Sequence, residues 1–240
     1  MSTRKLFIFL LFVSIFSTAY SQDKKVAVVT FYADKKIGMD EFGLGQASDL
    51  LKLENDPNFN LAPLLANFHT QFFDDYAKSF PFQLVPEADV TNFAAYKAYV
   101  PDGRPASETD RLYTAIDGYK VINYGWGLDN AKNLSKMFQQ YDGVMFVFIS
   151  FDFAKGFAIG GVGTVKVKAY ANIVLYNKEG NKVFNIREGS TSKKTGVMAA
   201  GVPVMQPEKV LPMCESALTE LMGDLQKKLP KIIKKADAKL

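Results

Sequence analysis

Hydrophobic positions along this chain switch between the period of a strand and the period of a helix, in an order that predicts a mixed α/β fold. Lys25 to Tyr32 (KVAVVTFY) is a continuous β-branched apolar run, which reads as a central strand buried on both faces. Asp34 to Asn60 is glycine-containing and mixed in charge, so it reads as a long loop with one helical turn around Ser48 to Lys52. From Leu61 the spacing changes to three and four: Leu61, Leu64, Leu65, Phe68, Phe72 and Tyr76 form one apolar stripe, with Asn60 before it as the cap. That stripe predicts the clearest amphipathic helix.

Pro81 to Pro86 is a proline-bracketed edge strand or strand entry. Ala88 to Tyr99 and Glu108 to Ile116 read as short helices around the Pro101-Asp102-Gly103 turn, and Tyr119 to Tyr124 as an edge strand, so residues 87–126 form an insertion. Leu128 to Gln140 is a further helix, and Val144 to Ile149 a second central strand. A glycine-rich connection, Lys155 to Gly163, leads to Thr164 to Tyr176, which alternates polar and apolar at first and forms a hairpin with Lys182 to Gly189. Residues 191–206 read as a loop. Pro207 opens a last helix with Val210, Leu211, Cys214, Ala217, Leu218, Leu221 and Leu225 on its apolar face, disturbed at Pro230 and fraying along a basic tail from Lys227.

The amino-terminal 21 residues stand apart from this pattern. Arg4 and Lys5 precede the uncharged run Leu6 to Phe16, and Ala19-Tyr20-Ser21 supplies small residues before a cut at Gln22, the layout of a secretory signal peptide. The apolar run is about half the ~20 residues a spanning helix needs, and no cysteine stands at Gln22 to carry a lipid. Export is therefore expected, with the periplasm as the compartment and full secretion as the alternative. Residues 22–240 are expected to form one α/β domain.

Composition narrows the classes. The net charge of +4 falls to +2 once Arg4 and Lys5 leave, too little and too dispersed for a nucleic-acid surface. Cys214 is the single cysteine, so no internal disulfide can form, and its apolar flanks place it as a small hydrophobe on the last helix.

Taken together, KKVAVVTF, the following helix, YDGVMFVFI, the VKVKAYANIVLYNKEGNKVF hairpin and the closing helix resemble the α/β domain of the curli-assembly secretion lipoproteins, the peptidoglycan-synthase activator lipoproteins and the amino-terminal domain of the Tol translocation protein. The resemblance covers about two thirds of the chain after residue 21. It implies a single mixed sheet with helices mainly on one face, and work by binding or oligomerising in the cell envelope, with no catalytic residues to carry over. The missing lipid cysteine and the 87–126 segment depart from that group.

The residues themselves offer little catalytic chemistry. His69 is the lone histidine, on the arc of Phe72 and Tyr76, and reads as a packed side chain. Asp74-Asp75, Asp40-Glu41 and Asp152 read as solvated charge. Gly156, Gly160, Gly161 and Gly163 lack the Gly-Lys-Ser/Thr of a phosphate loop and precede a strand, so they read as a flexible connection. The expected ligand or partner contacts are Phe153, Gly156, Phe157, Gly160, Gly161 and Gly163 in that connection, with Met198, Val202 and Met205 in the uncharged run GVMAAGVPVM. The expected activity is non-enzymatic: binding or assembly with an envelope protein partner, or self-association, with no cofactor, no metal, no nucleic acid and at most peripheral membrane contact. The alternative is a small-molecule module with its ligand near Gly156 to Gly163.

Overall fold

The apolar run after Lys24 becomes a strand that outlasts its hydrophobic stretch. The structure, a computed structural model, describes residues 24–43, 53–125 and 128–233, so the signal-like segment and the turn expected at Ser48 to Lys52 lie outside the described residues. Strand β1 (Lys25–Gly38) lies parallel to β4 (Gly143–Ile159) and to the short edge strand β2 (Gln83–Leu84), and antiparallel to β3 (Tyr113–Ala115). Strand β5 (Val162–Asn177) returns antiparallel along β4, and its other edge is shared by β6 (Lys182–Thr191) and β7 (Gly196–Ala199). Strand β8 (Val202–Pro203) pairs with β7. These eight strands make one mixed sheet, and the fold is α/β as the hydrophobic periods predict.

Alternation along β1 builds two cores. Val26 and Val28 face one cluster and Ala27 and Val29 the other, because successive side chains point to opposite faces. Helices α1 (Ala62–Asp74) and α6 (Pro207–Ile233), the two longest among the described residues, pack on the first face. The second face is covered more thinly, by α2 (Glu87–Thr91), α3 (Ala94–Ala98) and α5 (Asn130–Met137). Helix α4 (Ala106–Leu112) runs directly into β3. Asn60 does help start α1: its Oδ1 accepts the Ala62 N–H at 2.9 Å. No helix among the described residues is long and apolar enough to cross a membrane.

Four local expectations are corrected. Lys155 to Gly163 is no loop, since β4 continues to Ile159 and β5 starts at Val162. Residues 191–206 contain β7 and β8, whose apolar residues continue the sheet. Tyr119 to Tyr124 forms no strand; the segment that pairs with β1 is Tyr113 to Ala115. Helix α6 passes Pro230 and reaches Ile233, because buried Leu225, Leu229 and Ile233 hold its last turns to the core and Lys228 Nζ pairs with Glu188 at 3.0 Å.

The 87–126 segment is pinned to the sheet by two buried hydroxyls. Tyr96 donates its O–H to the Val29 carbonyl and accepts the Lys120 N–H, both at 2.9 Å. Thr30 Oγ1 donates to the Lys120 carbonyl at 2.6 Å and accepts the Ile122 N–H at 3.2 Å. Tyr96→Phe leaves the Lys120 N–H and one lone pair of Val29 without that partner. We expect it to lower the urea midpoint by the equivalent of about 1–3 kcal/mol at unchanged m.

Candidate functional site

Three of the contact residues expected from sequence lie at the end of a long hairpin. Gly160 and Gly161, both with positive φ (60° and 81°), make a two-residue turn that closes Ile159 onto Val162. This is the left-handed pair that hairpins favour, because its twist matches that of the flanking strands. One step back, the ladder shifts between Lys155 and Ala158, a bulge in which the Thr164 hydroxyl accepts the Phe157 N–H at 3.0 Å. Gly163 is required here: a Cβ on it would run into the Phe157 carbonyl and Ala158 Cα of the facing strand.

A second hairpin lies beside the first. Its turn, Ala200-Gly201, also has positive φ (50° and 78°), and the Gly201 N–H donates to the Gly161 carbonyl at 2.9 Å. Thr164 is opposite Val197, and the Val204 N–H bonds to Val197, so these side chains share the face carrying Ile159 and Val162. Phe157, two residues from Ile159, joins them. Phe157 is 74% exposed and Ile159 71%, and Val162, Val197 and Val204 are each more than half exposed. Five apolar side chains therefore stand in solvent on one sheet face at one end of the molecule.

The two stretches of chain that build this tip are basic, and carboxylates from other elements reach them: Glu41 accepts the Lys155 N–H at 2.9 Å. Residues 153–172 and 189–206 carry Lys155, Lys166, Lys168, Lys193 and Lys194 and no aspartate or glutamate. A cavity of about 780 Å³ opens beside Val197, Val204 and Met205, and its charged lining consists of Lys193, Lys194 and Lys209. Lys193 Nζ meets Glu220 at 2.7 Å.

The structure divides the expected contact residues. Phe157, with the turn glycines Gly160 and Gly161, forms the tip, and Val202 is half-buried in β8. Phe153 and Met198 are corrected: both are buried, 1% and 2% exposed, because they point to the α6 side of the sheet. Gly156 and Gly163 are the close-approach positions of the bulge, and the half-buried Met205 packs against the main core. Among the described residues, none of the cavities of about 340, 590 and 780 Å³ is lined by residues 156–163. By sequence Ile159, Val162, Val197 and Val204 belong to a glycine-rich connection and a loop; their strand pairing and their shared exposed face come from the register of the two hairpins.

Other candidates resolve into packing. His69 Nε2 lies 2.6 Å from Glu87 Oε1, and its ring packs on Phe31 and Phe73 at 4.9 and 4.8 Å. Cys214 is fully buried in α6, which pushes its thiol pKa up. Asp152 faces Arg187 at 4.0 Å, and burial raises its carboxyl above the ordinary range.

Sequence inspection missed a second concave region. Tyr32, Asp34 and Phe148 line a cleft of about 590 Å³ with Arg104, Tyr113 and Tyr124, under the 87–126 segment. A cavity of about 340 Å³ shares Arg104, Tyr113 and Asn123 with it. The one signal available was the aromatic density of residues 113–124.

No protein-family model matches this chain, and a search of the curated proteins returns no match.

Proposed function

We propose that this protein is a non-enzymatic binding or assembly domain that works in the cell envelope after export. It docks a protein partner with the face formed by Phe157, Ile159, Val162, Val197 and Val204. The observation that carries this is the exposure of five apolar side chains on one face of two hydrogen-bonded hairpin tips. Such a patch gains little in isolation and is stabilised when covered. Lys194 and Lys209, which line the cavity beside the patch together with the Glu220-paired Lys193, set the partner's chemistry: an apolar centre bordered by aspartate or glutamate, which charge complementarity steers into register. The signal-like segment and the resemblance to envelope assembly proteins support the compartment.

A photo-crosslinking amino acid at Ile159 and, as a control, at Lys178 in the turn after β5, tests this in the cells that export the protein. The expected result is a discrete protein adduct from position 159 that is absent from position 178 and lost with Lys193→Glu/Lys194→Glu. A homodimer adduct with a concentration-dependent mass in solution, adducts to lipid alone, or the same adducts from both positions would overturn it.

A further inference from the structure

The cleft over β1 has the composition of a cation site. It forms where β1 leaves the β4 ladder, between Ala33 and Ile37, so that Asp34 to Lys36 bow away from the neighbouring parallel strand. This lies toward the carboxyl ends of the two central parallel strands, where open α/β sheets place their ligands. The rings close around it: Tyr32 stacks on Phe148 at 5.0 Å and meets Tyr113 edge-on at 5.2 Å, while Tyr124 lies 5.8 Å from Phe148. Tyr32 donates its hydroxyl to Asn123 Oδ1 at 3.0 Å, which fixes that ring.

Among the described residues Asp34 brings the only carboxylate to this lining, and it is half satisfied. Its Oδ1 accepts the Lys36 N–H at 2.8 Å, and no donor or ion-pairing cation among the described residues reaches its other oxygen. Arg104, the one cation of the lining among the described residues, precedes α4 and pairs with Glu108 in its first turn. Aromatic faces and an unpaired carboxylate attract the same kind of group.

We infer that this cleft binds a small ligand through an alkylammonium head, held by the Asp34 carboxylate and by the Tyr32, Tyr113, Tyr124 and Phe148 rings. The volume of about 590 Å³ fits such a head together with the body of a small molecule. The site is separate from the hairpin tip and does not depend on the docking reading.

Binding requires the ionised carboxylate. Burial pushes Asp34 up to about 6, with Lys36 and Arg104 pulling it down and Asp152 of β4 pushing it up; these are the charged groups that face it, beside the Tyr32 and Tyr113 phenols. Affinity therefore falls as pH drops through 6.

Choline, n-butylammonium and the uncharged choline isostere 3,3-dimethylbutan-1-ol, each titrated into the complete chain and followed by tyrosine ring NMR signals, test the inference. We expect at least one of the two cations to bind roughly tenfold more tightly than the neutral isostere, and its affinity to drop roughly tenfold between pH 7.5 and pH 5. The tighter of the two says whether the natural head is methylated or primary. Asp34→Asn should abolish the preference for charge while the circular dichroism spectrum stays native. Equal binding of the isostere by the natural chain, no binding of either cation, or an unchanged preference in Asp34→Asn would overturn it.

Discussion

Replacing Phe31 by alanine is expected to lower the unfolding free energy by about 3–5 kcal/mol, the largest loss we predict for a single side chain here. Phe31 is fully buried in β1, and five rings surround it: Phe68 at 5.7 Å, His69 at 4.9 Å, Phe72 at 5.5 Å, Phe73 at 6.2 Å and Tyr119 at 6.3 Å. Truncation removes the transfer free energy of the ring and leaves a cavity that a strand bonded on both sides cannot close. Helix α1 loses its main anchor on the sheet. Urea unfolding should show a large fall in midpoint at unchanged m; a change below about 1 kcal/mol would mean that α1 does not pack as described.

Asp34→Asn is expected to act in the opposite direction, stabilising the fold by about 1–3 kcal/mol at pH 7. Burial raises the Asp34 carboxyl to about 6 in the folded protein, against 3.8 as its ordinary value. Between those values the unfolded chain has released the proton and the folded chain still holds it. Stability from this group is thus present below about 4 and is lost as pH rises toward 6, where folding must bury a charge with incomplete compensation. Asparagine removes that cost above pH 6. Thermal melts from pH 4 to pH 8 should show the variant gaining on the natural protein across that window and holding the gain above it. No gain at pH 7 would place the carboxylate in an environment as favourable as water. A residue that weakens the fold and faces a ring-lined cleft fits a ligand role better than a structural one.

The two central strands, the α1 stripe, the hairpin of β5 with β6 and the burial of Cys214 were all legible in the sequence. Each rests on a period that neighbouring residues impose on one another. Pattern misled where pairing rather than hydrophobicity decides. The glycines around Phe157 looked like a connection because glycine has little strand preference of its own, yet Gly163 is in the strand for lack of room and Gly160-Gly161 make a turn only two residues long. Phe153 and Phe157 looked equivalent as exposed contacts. They differ because the bulge between Lys155 and Ala158 turns Phe157 to the sheet face opposite the one on which Phe153 is buried.

By itself, then, the sequence determined the alternation of strands and helices, the two central apolar strands and the absence of disulfide support, since these depend on local period and on residue counts. The tertiary structure alone decided which apolar residues stay wet and which polar ones converge. Val197 joins Ile159 across three strands, and Asp34 shares a cleft with Arg104 and Tyr113, 70 and 79 residues further along the chain. Such meetings are set by register, by where β1 bows from β4 and by how far two hairpins extend past their helices, and no local period encodes those distances.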